Sequence, residues 1–279
     1  MKEKINQEVK ISIEKLPKGE IIPLEEDFLF KKVFGSNDNI ERLEELLSIY
    51  FNVPVKELKG NIIILNDSIR KSTKAAKNQK VDVKAEINLG IGSKTINIEM
   101  NLQKGSTLER NVLYISKILE SQLKSKQSYR NIKPIIQINF DNYEVNEKNK
   151  RIIKKFYIKD ETNTVITDIL EIDHINIEKC KYAWYNKDIE KYEKEEQDLI
   201  RLGALFTMKD MEEFKSCLKE VHMSKEIKED ITEAVEEYSL DDELLELYDR
   251  EKINEADREI AKNLLNMNMN IKSNRLINQ

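Results

Sequence analysis

The chain of 279 residues has few cysteines and no long apolar run, and both absences limit what the protein can be. Its two cysteines, Cys180 and Cys217, cannot build a disulfide framework, so we expect two core thiols in a reducing, cytoplasmic environment. No apolar segment approaches the roughly 18 residues of a membrane-spanning helix, and the N-terminus lacks the apolar region of a secretion signal. We therefore expect no membrane partner.

Short motifs of several enzyme classes are absent as well. The sequence has no Gly-x-x-x-x-Gly-Lys-Ser/Thr phosphate loop, no Gly-x-Ser-x-Gly and no cysteine cluster. These absences argue against ATP hydrolysis by a P-loop, serine-based acyl transfer and structural zinc. The two histidines, His174 and His222, lack the spacing of zinc ligands or of a catalytic triad, so we expect both to be structural.

The net charge of −5 hides an uneven distribution of charge along the chain. Residues 1–159 hold 30 Lys and Arg against 21 Asp and Glu, a balance of +9. Residues 160–279 hold 17 against 31, a balance of −14. An overall isoelectric point conceals such an asymmetry, and the basic half is compatible with a nucleic-acid partner.

The hydrophobic pattern predicts an α/β (α+β) core followed by an acidic helical region. We divide the chain into a lead-in at 1–22, an α/β core at 23–185 and a helical region at 186–279. Strands are predicted near 61–65, 81–87, 95–101, 133–140, 151–158 and 164–177, and helices near 23–34, 40–51, 106–126, 190–206, 211–222, 227–238 and 241–266.

Two neighbouring predicted strands carry the residues that point most clearly to a chemistry. Asp82 lies on the first strand, and Glu99 and Asn101 lie on the second, after a turn of Asn, Gly and Ser residues. Because side chains alternate along a strand, Glu99 and Asn101 share one face and Met100 faces the other. Converging carboxylates suit a hard cation such as Mg²⁺, and the backbone carbonyl of Met100 could add one more oxygen ligand. Bound Mg²⁺ supports the hydrolysis of phosphodiesters.

The arrangement of Asp82, Glu99 and Asn101 on consecutive strands resembles the PD-(D/E)XK nuclease superfamily. Its surroundings resemble one branch, the PD-(D/E)XK nuclease family transposases, also called recombination-promoting nucleases. The resemblance covers about residues 23–160 and extends more loosely into the acidic helical region. Its separate parts are DFLFKKVFG at 27–35, KVDV at 80–83, NIEMN at 97–101, ERNVLY at 109–114, and Tyr129 with the PIIQI strand at 134–138.

The resemblance implies a restriction-endonuclease-like core, in which a mixed β-sheet is flanked by helices, and a Mg²⁺-dependent DNA endonuclease of recombination or mobile-element biology. Asp82 and Glu99 then occupy the metal-ligand positions, with Mn²⁺ as an alternative ion and DNA as the partner. A homodimer would allow both DNA strands to be cut.

Position 101 departs from the pattern, because the superfamily has Lys there and this branch usually has Gln. A lysine would stabilise the charge of the attacking hydroxide or of the phosphate, whereas Asn101 can only donate to them a neutral hydrogen bond, roughly half as strong as a charged one. Two side chains offer compensation from the same strand faces. Lys84 stands two residues after Asp82, and Gln103 stands two residues after Asn101.

Basic and aromatic side chains near these strands have both a functional and a structural interpretation. Arg110 and Tyr114 lie one helical turn apart, and they either support the site and its phosphate or pack together on the surface. Lys71, Lys74 and Lys77 either follow a DNA backbone or form a solvated basic loop.

Two further questions stay open at this point. Asp27 either reaches the metal site from the first helix or serves as a helix N-terminal residue that the dipole favours. The alternative to a nuclease is a catalytically inactive module of the same fold that binds DNA or a protein partner. In that case the acidic region could be an autoinhibitory or docking element, since it should be attracted to the basic half.

Overall fold

A computed structural model describes residues 15–65, 83–90, 92–102, 108–123, 128–146, 148–254, 256 and 260. Its centre is one six-stranded sheet with the strand order β1-β2-β3-β4-β6-β5. The strands are β1 (Ile62–Ile64), β2 (Val83–Asn88), β3 (Ser93–Asn101), β4 (Ile135–Asp141), β5 (Ile153–Lys159) and β6 (Val165–Asn176).

The sheet is mixed, as the sequence predicted. β1, β2 and β3 pair antiparallel, whereas β4 pairs parallel with β3 and with β6. β5 closes the sheet as an antiparallel edge strand beside β6. Parallel neighbours need a crossover, and a helix supplies it between β3 and β4. Every residue of β4 is buried, as expected for a strand between two parallel neighbours.

Helices cover both faces of this sheet, and together with it they confirm the predicted α/β class. In the described part of the chain, no helix is long and apolar enough to cross a membrane. Residues 242–254 are also helical. The helices with both ends described are α1 (Asp27–Phe34), α2 (Ile40–Phe51), α3 (Leu108–Gln122), α4 (Ile177–Tyr185), α5 (Lys194–Phe206), α6 (Met211–Glu220) and α7 (Lys225–Tyr238).

One sheet face packs on α1, α2 and α5 around a group of aromatic rings. The ring centroid of Phe206 on α5 lies 5.0 Å from that of Phe140 on β4 and 5.5 Å from that of Phe30 on α1. Burying a side chain of this size contributes roughly 1.5–3 kcal/mol relative to leaving it exposed. Because Phe206, Phe214, Ile231 and Tyr248 belong to the same buried cluster, the helical C-terminal region shares this core. The boundary near residue 186 stays a prediction.

The opposite sheet face is covered by α3 and is mostly polar. A small apolar cluster joins Ile115 and Ile118 of α3 to Ile135 of β4 and Ile172 of β6. Beside this cluster, the inner positions of β3 and β4 are occupied by amide and carboxylate side chains that are buried. A face of this composition is unusual for a sheet interior, since buried polar groups need partners.

Candidate active site

The end of β3 places Glu99 and Asn101 on the polar face and Met100 on the opposite, apolar face. This is the alternation that the sequence predicted. Both polar side chains are far more buried than a solvated strand face would make them, with Glu99 3% and Asn101 6% exposed. In the register of the parallel strands, Glu99 lies opposite Asn139 and Asn101 lies opposite Asp141.

The partner strand of this hairpin is described only in part. Asp82, Gln103, Lys71, Lys74 and Lys77 lie outside the described residues. The described pairing of β2 with β3 begins at Val83 and Ile98, which are the chain neighbours of Asp82 and Glu99. Lys84 is half-buried and lies opposite Asn97, which precedes Glu99 by two residues on β3. Lys84 therefore occupies the polar face, diagonally across from Glu99.

A cleft of about 170 Å³ lies beside the end of β3. Asp27 lines this cleft from the first turn of α1, so it is compatible with both interpretations of this residue. Glu251 of the C-terminal helix forms another wall, which the sequence did not indicate. The complete lining is Glu26, Asp27, Met100, Asn101, Leu102, Arg110 and Glu251.

Burial raises the pKa of Glu99 to about 7, although the hydrogen bond from Asn97 and the charge of Arg110 oppose this shift. The charges of Asp141 and Asp27 add to the increase in its pKa. The hydrogen bond joins Asn97 Nδ2 to Glu99 Oε1 over 3.2 Å. A carboxylate that titrates near neutral pH beside a cleft is a recurrent feature of functional sites.

Asn101 is held by β4 through both of its amide hydrogens. Its Nδ2 atom lies 3.3 Å from Asn139 Oδ1 and 3.0 Å from Asp141 Oδ1, and it donates to both. The second oxygen of Asp141 lies 2.5 Å from His174 Nδ1. The N–H groups with which Asn101 was expected to contact a phosphate are therefore already engaged within the sheet.

Asn139, Asp141 and His174 were missed in the sequence as site residues. A signal for the first two was present, because β4 carries Gln137, Asn139 and Asp141 at every second position. The four apolar residues of the same strand obscured that pattern. His174 was expected to be structural, and only the fold brings it beside Asp141, since the two residues are 33 positions apart.

Arg110 and Tyr114 contact each other on α3, as their spacing predicted. Arg110 Nε donates a hydrogen bond of 3.0 Å to the Tyr114 hydroxyl, and the guanidinium carbon lies 5.0 Å from the ring centroid. Tyr114 is buried, so it is a fixed support. The contact holds Arg110 at the cleft wall, where its positive charge acts on Glu99.

The donor atoms around the cleft suit a hard cation better than a soft one. Among the described residues no group of three or more His, Cys, Asp or Glu side chains is placed to hold a metal ion. The side chains of the lining that could bind a cation offer oxygens, from Glu26, Asp27, Asn101 and Glu251, and the carboxylate of Glu99 lies beside them on β3. Oxygen ligands are the preference of Mg²⁺. Two buried amide oxygens near Glu99, Asn97 Oδ1 and Gln137 Oε1, have no hydrogen-bond donor in the described structure.

One family model matches most of the chain. The model of a family described as PD-(D/E)XK nuclease family transposase matches residues 24–264 of the 279-residue chain. The match runs from just before α1 into the C-terminal helix and includes every residue of the cleft. Searches of the curated proteins and of the solved structures found no match.

Proposed function

Because the chain belongs to the PD-(D/E)XK nuclease family transposases, we propose that it is a metal-dependent DNA endonuclease of recombination or mobile-element biology. The observation that carries this proposal is Glu99, a buried carboxylate with a pKa of about 7 next to a cleft lined with oxygen donors. A family member with such a site is expected to act on DNA in the cytoplasm, as a homodimer if both strands are cut.

The proposed metal ligands are Asp82, Glu99 and the carbonyl oxygen of Met100. A bound Mg²⁺ or Mn²⁺ ion would activate water and neutralise charge on the scissile phosphate. Glu99 must give up its proton before it can act as a ligand, so ligand binding and proton loss are coupled at this residue. Asp27, which lines the cleft, adds a further carboxylate.

Positive charge for the phosphate would come from side chains other than the one at position 101. Arg110 lines the cleft, and Lys84 lies on the polar face of β2, diagonally across from Glu99. Gln103 is proposed to contribute a hydrogen bond to the phosphate. Lys71, Lys74 and Lys77 are proposed to neutralise the DNA backbone outside the cleft.

The test is cleavage of supercoiled plasmid and linear DNA by the purified protein in Mg²⁺, in Mn²⁺ and in EDTA. Asp82→Ala and Glu99→Ala should abolish metal-dependent cleavage. Glu161→Ala is the matched control, because it removes a carboxylate from the exposed turn between β5 and β6. Loss of cleavage in Glu161→Ala as well, or cleavage that persists in both site variants, would contradict the proposal.

A second candidate function rests on position 101. With Asn in place of Lys, and with its N–H groups engaged by Asn139 and Asp141, this chain lacks the cationic donor of the superfamily. An inactive module of this fold would bind DNA or a protein through its basic half. Salt-dependent DNA binding by folded protein, without cleavage in either metal ion, would favour this second candidate.

A further inference from the structure

We infer that Asp141, itself oriented by His174, fixes the side-chain amide of Asn101 so that its oxygen is the atom offered to the cleft. Asp141 and His174 would then be positioning residues, and Asn101 would be an oxygen ligand for a hard divalent cation. The inference rests on the proposed nuclease function and deepens it, because it gives position 101 a role opposite to that of a lysine.

The orientation of Asn139 is determined first. Its Nδ2 atom lies 3.0 Å from the backbone oxygen of Asp173, and a backbone carbonyl can only accept a hydrogen bond. Asn139 Oδ1 therefore faces the other way. It accepts hydrogen bonds from Gln137 Nε2, at 3.0 Å, and from Asn101 Nδ2, at 3.3 Å.

Asp141 determines the orientation of Asn101 in the same manner. A carboxylate only accepts, and Asp141 Oδ1 lies 3.0 Å from the Asn101 amide, so the group that faces it must be the NH₂. Two independent acceptors on β4 thus require the nitrogen of Asn101 on their side. The oxygen is the polar atom that remains for the cleft, which Asn101 lines.

His174 holds Asp141 in place from the next strand. Its Nδ1 atom lies 2.5 Å from Asp141 Oδ2 and must carry the hydrogen, since the carboxylate has none to give. Its Nε2 atom then accepts from Asn111 Nδ2 of α3, at 3.4 Å. All of these side chains are buried, so the chain of hydrogen bonds that runs from α3 through β6 and β4 to β3 is shielded from competing water.

The chemical consequence is that the residue at position 101 binds a cation and not an anion. An amide oxygen is a common ligand of hard divalent ions. Outer residues that orient a ligand typically change metal affinity 10- to 100-fold when they are removed. Positive charge toward a phosphate is left to Arg110 and Lys84.

The experiment is a double-mutant cycle on Mn²⁺ affinity, measured by calorimetry on the full chain without DNA. Asn101→Leu and Asp141→Leu should each weaken Mn²⁺ binding about tenfold. If Asp141 acts through Asn101, the double variant should also lose about tenfold, not about a hundredfold. Glu161→Gln is the control, and thermal melting in EDTA checks that each variant is folded.

An isosteric substitution keeps the inference testable where Asp141→Leu does not fold. Asp141→Asn removes the fixed acceptor and should weaken Mn²⁺ binding about tenfold in the wild-type chain, but should cause no further loss in Asn101→Leu. Losses that multiply in either cycle overturn the inference while the nuclease proposal stands. Absence of Mn²⁺ binding by the wild-type protein overturns the proposed metal site and the inference with it.

Discussion

Asn97 Nδ2 donates a hydrogen bond of 3.2 Å to Glu99 Oε1 in a layer where both residues are almost completely buried. One neutral donor cannot replace the water that a carboxylate loses on burial, which is the reason for the raised pKa of Glu99. The protein therefore tolerates at neutral pH a carboxylate whose charged form is disfavoured. This loss of stability from a buried carboxylate is expected where a cation is to be bound.

Replacing this carboxylate should stabilise the protein when metal is absent. The raised pKa means that folded protein binds a proton at Glu99 more strongly than unfolded protein does. The stabilising contribution of protonated Glu99 is therefore present below about pH 4.5 and lost as pH rises through about 7. Glu99→Gln should have the higher free energy of unfolding at pH 8 and nearly the wild-type value at pH 4.5.

Urea denaturation in EDTA at these two pH values measures the difference. Subtracting the wild-type result from that of the variant removes the pH dependence of the remaining carboxylates. A variant that is less stable than the wild type at pH 8 would mean that the charged form of Glu99 is favoured in the fold.

Divalent ions should stabilise the wild-type protein and have little effect on Glu99→Gln. Ligand binding to the folded state alone raises the melting temperature, and Glu99 must be deprotonated to be a ligand. The increase caused by Mg²⁺ or Mn²⁺ should therefore be larger at pH 8 than at pH 6. Melting curves with and without EDTA check this, with Glu161→Gln as the carboxylate control. An equal increase in melting temperature in Glu99→Gln and in Glu161→Gln would exclude Glu99 as a ligand.

The sequence allowed the local part of this site to be predicted, because alternation along a single strand is a local property. Glu99 and Asn101 share a face and Met100 faces the core, as their spacing requires. The contacts between strands could not be predicted, because Asn101 and Asp141 are 40 positions apart and their register depends on how the crossover through α3 packs. Glu251 was out of reach for the same reason, because packing of the C-terminal helix brings it to the cleft.

The ion pair between the side chains of Glu144 and Lys154 should stabilise the fold. Lys154 is 3% exposed, and its ammonium is paired with Glu144, which also accepts from Lys179 Nζ at 2.5 Å. Burial acts to raise the pKa of Glu144, but these hydrogen bonds dominate and lower it to about 2. The stabilisation is therefore present above about pH 4.5 and lost as pH falls toward 2.

Glu144→Gln should lower the free energy of unfolding by roughly 3 kcal/mol at pH 7, because it leaves a buried ammonium without its counter-charge. Glu144→Gln combined with Lys154→Met should recover most of this loss. Urea denaturation of the two variants and the wild type measures both effects. A double variant no more stable than Glu144→Gln would show that the pair is not the source of the loss.

Arg110 should affect both the rate and the pH dependence of DNA cleavage. It lies at the cleft wall against Tyr114, and its charge opposes the increase in the pKa of Glu99. Arg110→Gln should slow cleavage about 100-fold, as expected for a lost electrostatic contact to the reacting phosphate, and should move the acidic limb of the rate profile to higher pH.

Tyr114→Phe keeps the charge and the ring but removes the hydroxyl that accepts from Arg110, so it should cause a smaller loss of rate with an unchanged pH profile. Single-turnover cleavage from pH 6 to 9 separates the two effects. A slower rate with an unshifted profile in Arg110→Gln would mean that Arg110 acts on the DNA alone and not on Glu99.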